Sequence, residues 1–127
     1  MDLMPVELRY DREKEVLCVA VKGPLTPEEF EGALKDIIRS DQFPPDIRSL
    51  WDMREADLKD IDRGIEERLI NIRKEYPERG SARVAVVVVN DRDFGMSRMY
   101  QSLSEDLSRP MQVFRSYTEA EDWLLRP

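Results

Sequence analysis

Two short stretches of this sequence carry residue types that could grip or transform a small molecule. Trp51-Asp52-Met53-Arg54 and Phe94-Gly95-Met96-Ser97-Arg98-Met99-Tyr100 each interleave charge with sulfur and aromatic side chains. Gly95 falls in the expected first turn of a helix, where backbone N–H groups are unpaired. Arg98, with Arg54, would complete a small anion site there. A simpler alternative is that Gly95 allows close packing and Arg98 pairs with Asp52. Trp51, Met53, Phe94, Met96 and Met99 form an apolar counterpart. Thioether and aromatic groups adapt to varied shapes, which suits a deformable ligand or partner groove as well as ordinary core.

Catalytic chemistry has little to work with. The chain has no histidine, which removes the commonest general base, proton shuttle and metal ligand. Serine triads, Cys–His dyads and His-containing zinc sites are thereby excluded within it. The single thiol, Cys18, lies in an apolar run and reads as a small core residue, and a lone thiol fits a reducing compartment. Asp52, Asp57, Asp60, Asp62, Asp91 and Asp93 follow two strands whose ends should lie close together. Two or three of them would hold Mg²⁺ for phosphoryl chemistry; the alternative is solvated pairing with the interleaved Arg54, Arg63 and Arg92 and helix capping. Asp93-Phe94-Gly95 matches a kinase triplet, but 127 residues cannot hold a kinase and no catalytic-loop motif is present. Asp91 opens a calcium-loop spacing, yet its glutamate position is occupied by Ser102.

Composition narrows partners further. With 27 acidic against 20 basic residues the net charge is −7, which opposes general attraction to nucleic acid or anionic lipid. Apolar content of 41% supports a single domain with its own core. The longest apolar run, Val84 to Val89, falls far short of the about 18 to 20 residues a membrane-spanning helix needs. Met1 to Pro5 shows no basic start before an apolar stretch, so no secretory signal and a cytoplasmic location are expected.

The elements that must position the two stretches follow from periodicity. Val6–Tyr10 and Val16–Val21 read as strands joined by a polar hairpin, and the second, apolar on both faces, should be central. Gly23-Pro24 breaks the strand. Thr26, Pro27 and Glu29 then form a capping box, with Phe30, Ala33, Leu34, Ile37 and Ile38 on one helical face. Ser49–Arg54 reads as a third strand. A second helix starts near Asp60 or Asp62, carries Ile61, Ile65, Leu69, Ile72 and Tyr76 on one stripe, and stops before Pro77 and Gly80. Arg83–Val89 is a strand buried on both faces. Asp93 caps a third helix, with Met96, Met99, Tyr100, Leu103 and Leu107 inward, running to about Ser108 before Pro110. Met111–Phe114 is the last strand. Ser116 or Thr118 caps a final helix with Tyr117, Ala120, Trp123 and Leu124 on its inner face. The order β-β-α-β-α-β-α-β-α predicts an α/β fold with a mostly parallel sheet and an antiparallel first strand. The loops after Val21, Met53, Val89 and Phe114 then gather at one sheet edge, where ligands of open α/β folds usually sit.

This order, with Leu50-Trp51-Asp52-Met53-Arg54, Phe94 to Tyr100, Val113-Phe114-Arg115 and Ala120-Glu121-Asp122-Trp123-Leu124, resembles the SpoIIAA-like proteins of the STAS superfamily over roughly Val6 to Leu124. The resemblance implies a bacterial, non-catalytic domain that acts through protein partners or holds an apolar or lipid ligand beside a mobile helix. The superfamily's anti-sigma-factor antagonists carry an Asp-Ser-Ser-Gly-like turn whose serine is phosphorylated. The nearest match here is Ile61-Asp62-Arg63-Gly64, one residue shorter, with arginine where a hydroxyl is needed. A phosphorylation-switched antagonist is therefore disfavoured.

The expectation is one SpoIIAA-like domain over residues 1–127, a non-enzymatic regulatory or binding module. It would engage a protein partner or an apolar, lipid-like ligand at the C-terminal edge of its sheet. The candidate binding residues are Trp51, Asp52, Met53, Arg54, Phe94, Gly95, Met96, Arg98, Met99 and Tyr100. No catalytic residue, metal, cofactor or nucleic-acid partner is expected. Peripheral membrane contact and a homodimer stay open. The alternative is a Mg²⁺-dependent enzyme acting on a phosphorylated small molecule through the aspartate cluster.

Overall fold

In the computed structural model, which describes residues 5–44, 46–75, 82–105 and 110–127, strands and helices follow the expected alternation. The strands are β1 (Val6–Asp11), β2 (Val16–Pro24), β3 (Arg48–Asp57), β4 (Val84–Val87) and β5 (Met111–Phe114). The helices are α1 (Pro27–Arg39), α2 (Arg63–Lys74), α3 (Asp91–Leu103) and α4 (Tyr117–Leu125). One five-stranded sheet has the spatial order β1-β2-β3-β4-β5, with β1 antiparallel to β2 and every other pair parallel.

That order decides where the helices go. Each parallel crossover steps to the next strand in the same direction. Right-handed crossovers therefore place α1, α2 and α3 on one face of the sheet. Leu17, Val19 and Val21 of β2, Trp51 and Met53 of β3, and Val84 and Val86 of β4 project toward them, with Val88 just beyond β4, as one buried cluster. Leu34 and Ile38 of α1 close against Leu69 of α2 above that layer. The alternate residues, Val16, Leu50, Ala85 and Val87, meet Ala120 and Leu124 of α4 on the opposite face. Strands buried on both faces explain the unbroken apolar runs in β2 and β4.

Local signals were strongest at helix starts. Thr26 Oγ1 accepts from Glu29 N at 3.1 Å, and the Glu29 carboxylate accepts from Thr26 N at 3.0 Å. Asp62 caps α2 and Ser116 caps α4.

Several boundaries differ. β2 runs through Gly23 to Pro24, because a register shift between Ala20 and Lys22 and a positive φ of 74° at Gly23 let the strand bend and stay paired with β3 as far as Asp57. β3 is correspondingly longer than its apolar core. Ile61 lies before α2, in the loop, and is still buried. β4 ends at Val87; Val88 stays buried while Val89 is 53% exposed as the chain leaves the sheet. Asn90, not Asp93, caps α3: its Oδ1 accepts from Asp93 N at 2.8 Å, putting Asp93 one turn inside. Tyr76, Pro77, Gly80, Leu107 and Ser108 lie outside the described residues. No helix among those described is long and apolar enough to cross a membrane.

Candidate functional site

The C-terminal edge does gather the expected loops. Arg92 donates to Lys59 O at 3.1 Å, Arg115 pairs with Asp91 at 2.8 Å, and the Arg115 guanidinium lies 4.4 Å over the Phe94 ring. Those contacts tie the chain after β3, β4 and β5 into one rim. Yet the strand order never reverses, so the edge lacks the crevice that a topological switch point opens. A partly open chamber lies instead beneath the helices, on the face of the sheet.

This chamber has a volume of about 60 Å³. Its floor is Trp51 and Met53 of β3, Val84 and Val86 of β4, and Met111 of β5. Leu58 and Ile61 of the β3–α2 loop, Phe30 of α1, Glu66 and Arg73 of α2, and Met96, Ser97 and Tyr100 of α3 form the walls and roof. Phe30 and Trp51 pack ring against ring at 5.7 Å. The space is room for about two waters or a small apolar group, well short of the roughly 150 Å³ that admits benzene to a rigid core.

The roof is unusual in its chemistry. A core-facing helix normally buries an apolar stripe. In α3 the buried residues are Asp93 and Ser97, followed by Ser104 at the C-cap. Gln101 donates to Met111 O at 2.9 Å, while its Oε1 has no hydrogen-bond partner among the described residues. Glu66, only 4% exposed, likewise leaves Oε1 without a partner, as does Arg73 its Nε. Burial, and secondarily the nearby Asp62 carboxylate, pushes the Glu66 carboxyl up to about 7. Burial also raises the Tyr100 phenol, against the pull of Arg73, whose guanidinium lies 5.9 Å over the ring.

The residues singled out from sequence divide into three groups. Trp51, Met53, Met96 and Tyr100 line the chamber together. Asp52 and Arg54 project to the opposite face, where Arg54 donates twice to Asp52 at 2.8 Å and lies 4.9 Å over Tyr117 of α4. These hydrogen bonds hold the Asp52 carboxyl below its usual range, against the cost of its burial. Phe94, Gly95, Arg98 and Met99 lie outside the chamber lining: Phe94 is half-buried against the sheet's core cluster with Arg98 5.9 Å over its ring, Gly95 has open space around it, and Met99 is 38% exposed. The expected anion site is not assembled, because Arg54 is committed to Asp52 and Arg98 to the Phe94 ring. Met99 also leaves the inner stripe assigned to it. The helix turns its buried face toward Asp93, Ser97 and Tyr100 instead.

The aspartates do not converge either. Asp57 accepts from Lys59 N, Asp62 from Ile65 N, Asp91 pairs with Arg115, and Asp93 is held by Asn90 and Arg92. Among the described residues no three carboxylate or thiol groups come together as a cation site. The Mg²⁺-dependent alternative loses the cluster it needed.

Sequence reading missed Glu66 and Arg73, which supply the chamber's charge. Their signal was present: seven residues apart, they share one helical face with Ile65, Leu69 and Ile72, so two charged residues sit beside an otherwise apolar stripe.

Comparison with known proteins agrees with this architecture. A family model described as SpoIIAA-like matches residues 16–125. Among solved structures, the chain is similar to an uncharacterised protein of the DUF3478 family from Shewanella loihica PV-4, a crystal structure described as having a SpoIIAA-like fold. The two share 18% identity and a TM-score of 0.62, over 94% of this chain and 91% of that one. Among curated proteins, none matches significantly. At that identity the neighbour speaks for the fold, whereas the family match covers most of the sequence. The chain belongs to the SpoIIAA-like family.

Proposed function

We propose that this chain is a non-enzymatic binding module that holds an apolar ligand in the chamber beneath α2 and α3. The observation that carries this reading is the chamber itself. Interiors of this size normally close to crystal-like density, yet Trp51, Met53, Met96 and Met111 surround unfilled space. Methionine side chains can swing to widen it. The polar inner face of α3 supports the same reading, since lifting that helix uncovers less apolar surface than lifting α1 would. Arg63 at the start of α2 pairs with Glu67 at 3.2 Å and offers no hydroxyl for a phosphate, so the reading needs no phosphorylation switch there. A protein-partner role at the rim would rest on Val89 and Met99, but isolated exposed apolar side chains are ordinary on any surface. A cytoplasmic location fits the acidic charge and lone thiol.

Native mass spectrometry of the purified chain, followed by organic extraction, tests the proposal. An apolar adduct that extraction releases is the expected result. Repeated recovery of empty protein, with an unfolding midpoint that added alkanols do not move, would overturn it.

A further inference from the structure

Building on the chamber as a ligand site, we infer that the polar end of its ligand is a hydrogen-bond donor, a protonated amine, received by the carboxylate of Glu66. Glu66 is 4% exposed, lines the chamber, and presents Oε1 without a partner among the described residues. A buried acceptor left unmade is costly, and an incoming donor removes that cost. The groups facing it define the sign of the missing charge. From its own helix come the Asp62 cap, which repels a second negative charge, and Arg73, two turns away and lying over Tyr100. From α3 come the Ser97 and Tyr100 side chains; from the sheet, Trp51, Met53, Val84 and Val86; from α1, Phe30. None of the sheet or α1 groups carries charge.

The walls favour the same class of ligand. Phe30, Trp51 and Tyr100 all line this space, and aromatic rings receive an ammonium or alkylammonium group more readily than an anion, although Arg73 already lies over Tyr100. A carboxylate or phosphate head would instead meet the Glu66 carboxyl, with Asp62 behind it. Arg73 lines the chamber too, but it sits about 10 Å along α2 from Glu66, and its guanidinium is already engaged over the Tyr100 ring. The resting volume of about 60 Å³ holds the ammonium and its first carbons. Movement of Met53, Met96 and Met111 would admit the remainder of a short chain.

The test is calorimetric titration of the full chain with n-hexylammonium, n-hexanol and hexanoate at pH 8, repeated with Glu66→Gln. Hexylammonium should bind at least tenfold tighter than hexanoate, with hexanol between them, and Glu66→Gln should lose about tenfold for the amine while keeping hexanol. In the unmodified chain, amine affinity should fall about tenfold per pH unit below pH 7, as the carboxyl must release its proton, while hexanol affinity stays level. The assignment fails if hexanoate binds as well as the amine, if the amine preference survives Glu66→Gln, or if amine affinity does not depend on pH. Hexanol binding would still uphold the chamber in each of those cases. Absence of binding by all three probes would sink both the assignment and the reading beneath it.

Discussion

Glu66 and Arg73 share one face of α2, both reach the same chamber, and neither neutralises the other. Seven residues of helix separate their backbones by about 10 Å, so a direct bridge would require both side chains to fold along the apolar roof. The carboxyl is left with burial and Asp62 acting on it, and both disfavour its charge. The pair thus gives one chamber a guanidinium at one end and, at the other, a carboxyl that holds its proton up to about pH 7.

Stability should depend on this carboxyl in a definite direction. With its folded value raised from 4.5 to about 7, the folded chain holds a proton that the unfolded chain has released over that interval. The associated stability is fully present below about pH 4.5 and is lost as pH rises through 7, a span on the order of 3 kcal/mol. Glu66→Gln should therefore be more stable than the unmodified chain at pH 8, by about 1 to 3 kcal/mol, with the difference vanishing near pH 4. Urea unfolding at the two pH values measures it. A less stable Glu66→Gln at pH 8 would mean that the carboxylate has a partner in solution.

The Asp52–Arg54 pair should show the opposite dependence and a smaller size. Hydrogen bonds from Arg54 lower the Asp52 carboxyl, so its stabilisation is present above the ordinary aspartate range and is lost as pH falls through the depressed value. Both side chains are partly exposed, at 23% for Asp52 and 45% for Arg54. Solvent screening then keeps the coupling at or below about 1 kcal/mol. A double-mutant cycle with Asp52→Asn and Arg54→Ala at pH 7 and pH 3 should give a coupling that shrinks in acid. Coupling that grows in acid would contradict the geometry.

Much of this fold was legible because its signals are local or periodic. The Thr26–Glu29 capping box and the two-faced apolar runs of β2 and β4 needed no tertiary information. The alternation of strands and helices then fixed the sheet's direction through crossover handedness. The site was less legible for a physical reason. Whether Met96 and Met99 both face inward depends on how α3 rotates about its axis. That rotation is set by Asn90 capping three residues earlier than expected and by buried Asp93 and Ser97. Alternation along β3 placed Trp51 with Met53 and Asp52 with Arg54, but which face held the chamber depended on all three crossover helices sharing one side. Glu66 was overlooked because a carboxylate on a helix is ordinarily solvated, and only burial makes it informative.

The two methionines of α3 should behave differently on truncation. Met96 lines the chamber and Met99 is 38% exposed. Met96→Ala should cost about 1 to 2 kcal/mol, reduced from a full core truncation because the residue is only partly buried and borders existing space. Met99→Ala should stay within about 0.5 kcal/mol. Thermal unfolding of both variants decides the matter, and equal losses would restore the inward stripe read from the sequence.

Adding a single methylene in β4 or just beyond it separates filled from unfilled core. Val86 lines the chamber, so Val86→Ile places its extra carbon in existing space and should stabilise the chain by up to about 0.8 kcal/mol. Val88 belongs to the same buried cluster but is not part of the chamber wall, and it is fully enclosed. Val88→Ile should therefore overpack and cost about 1 to 3 kcal/mol. The same Val86→Ile change should weaken uptake of n-hexanol, because it occupies volume that the alkyl chain would use. If Val86→Ile destabilises as much as Val88→Ile, there is no usable space beneath α3, and ligand binding there would have to begin with displacement of the helix.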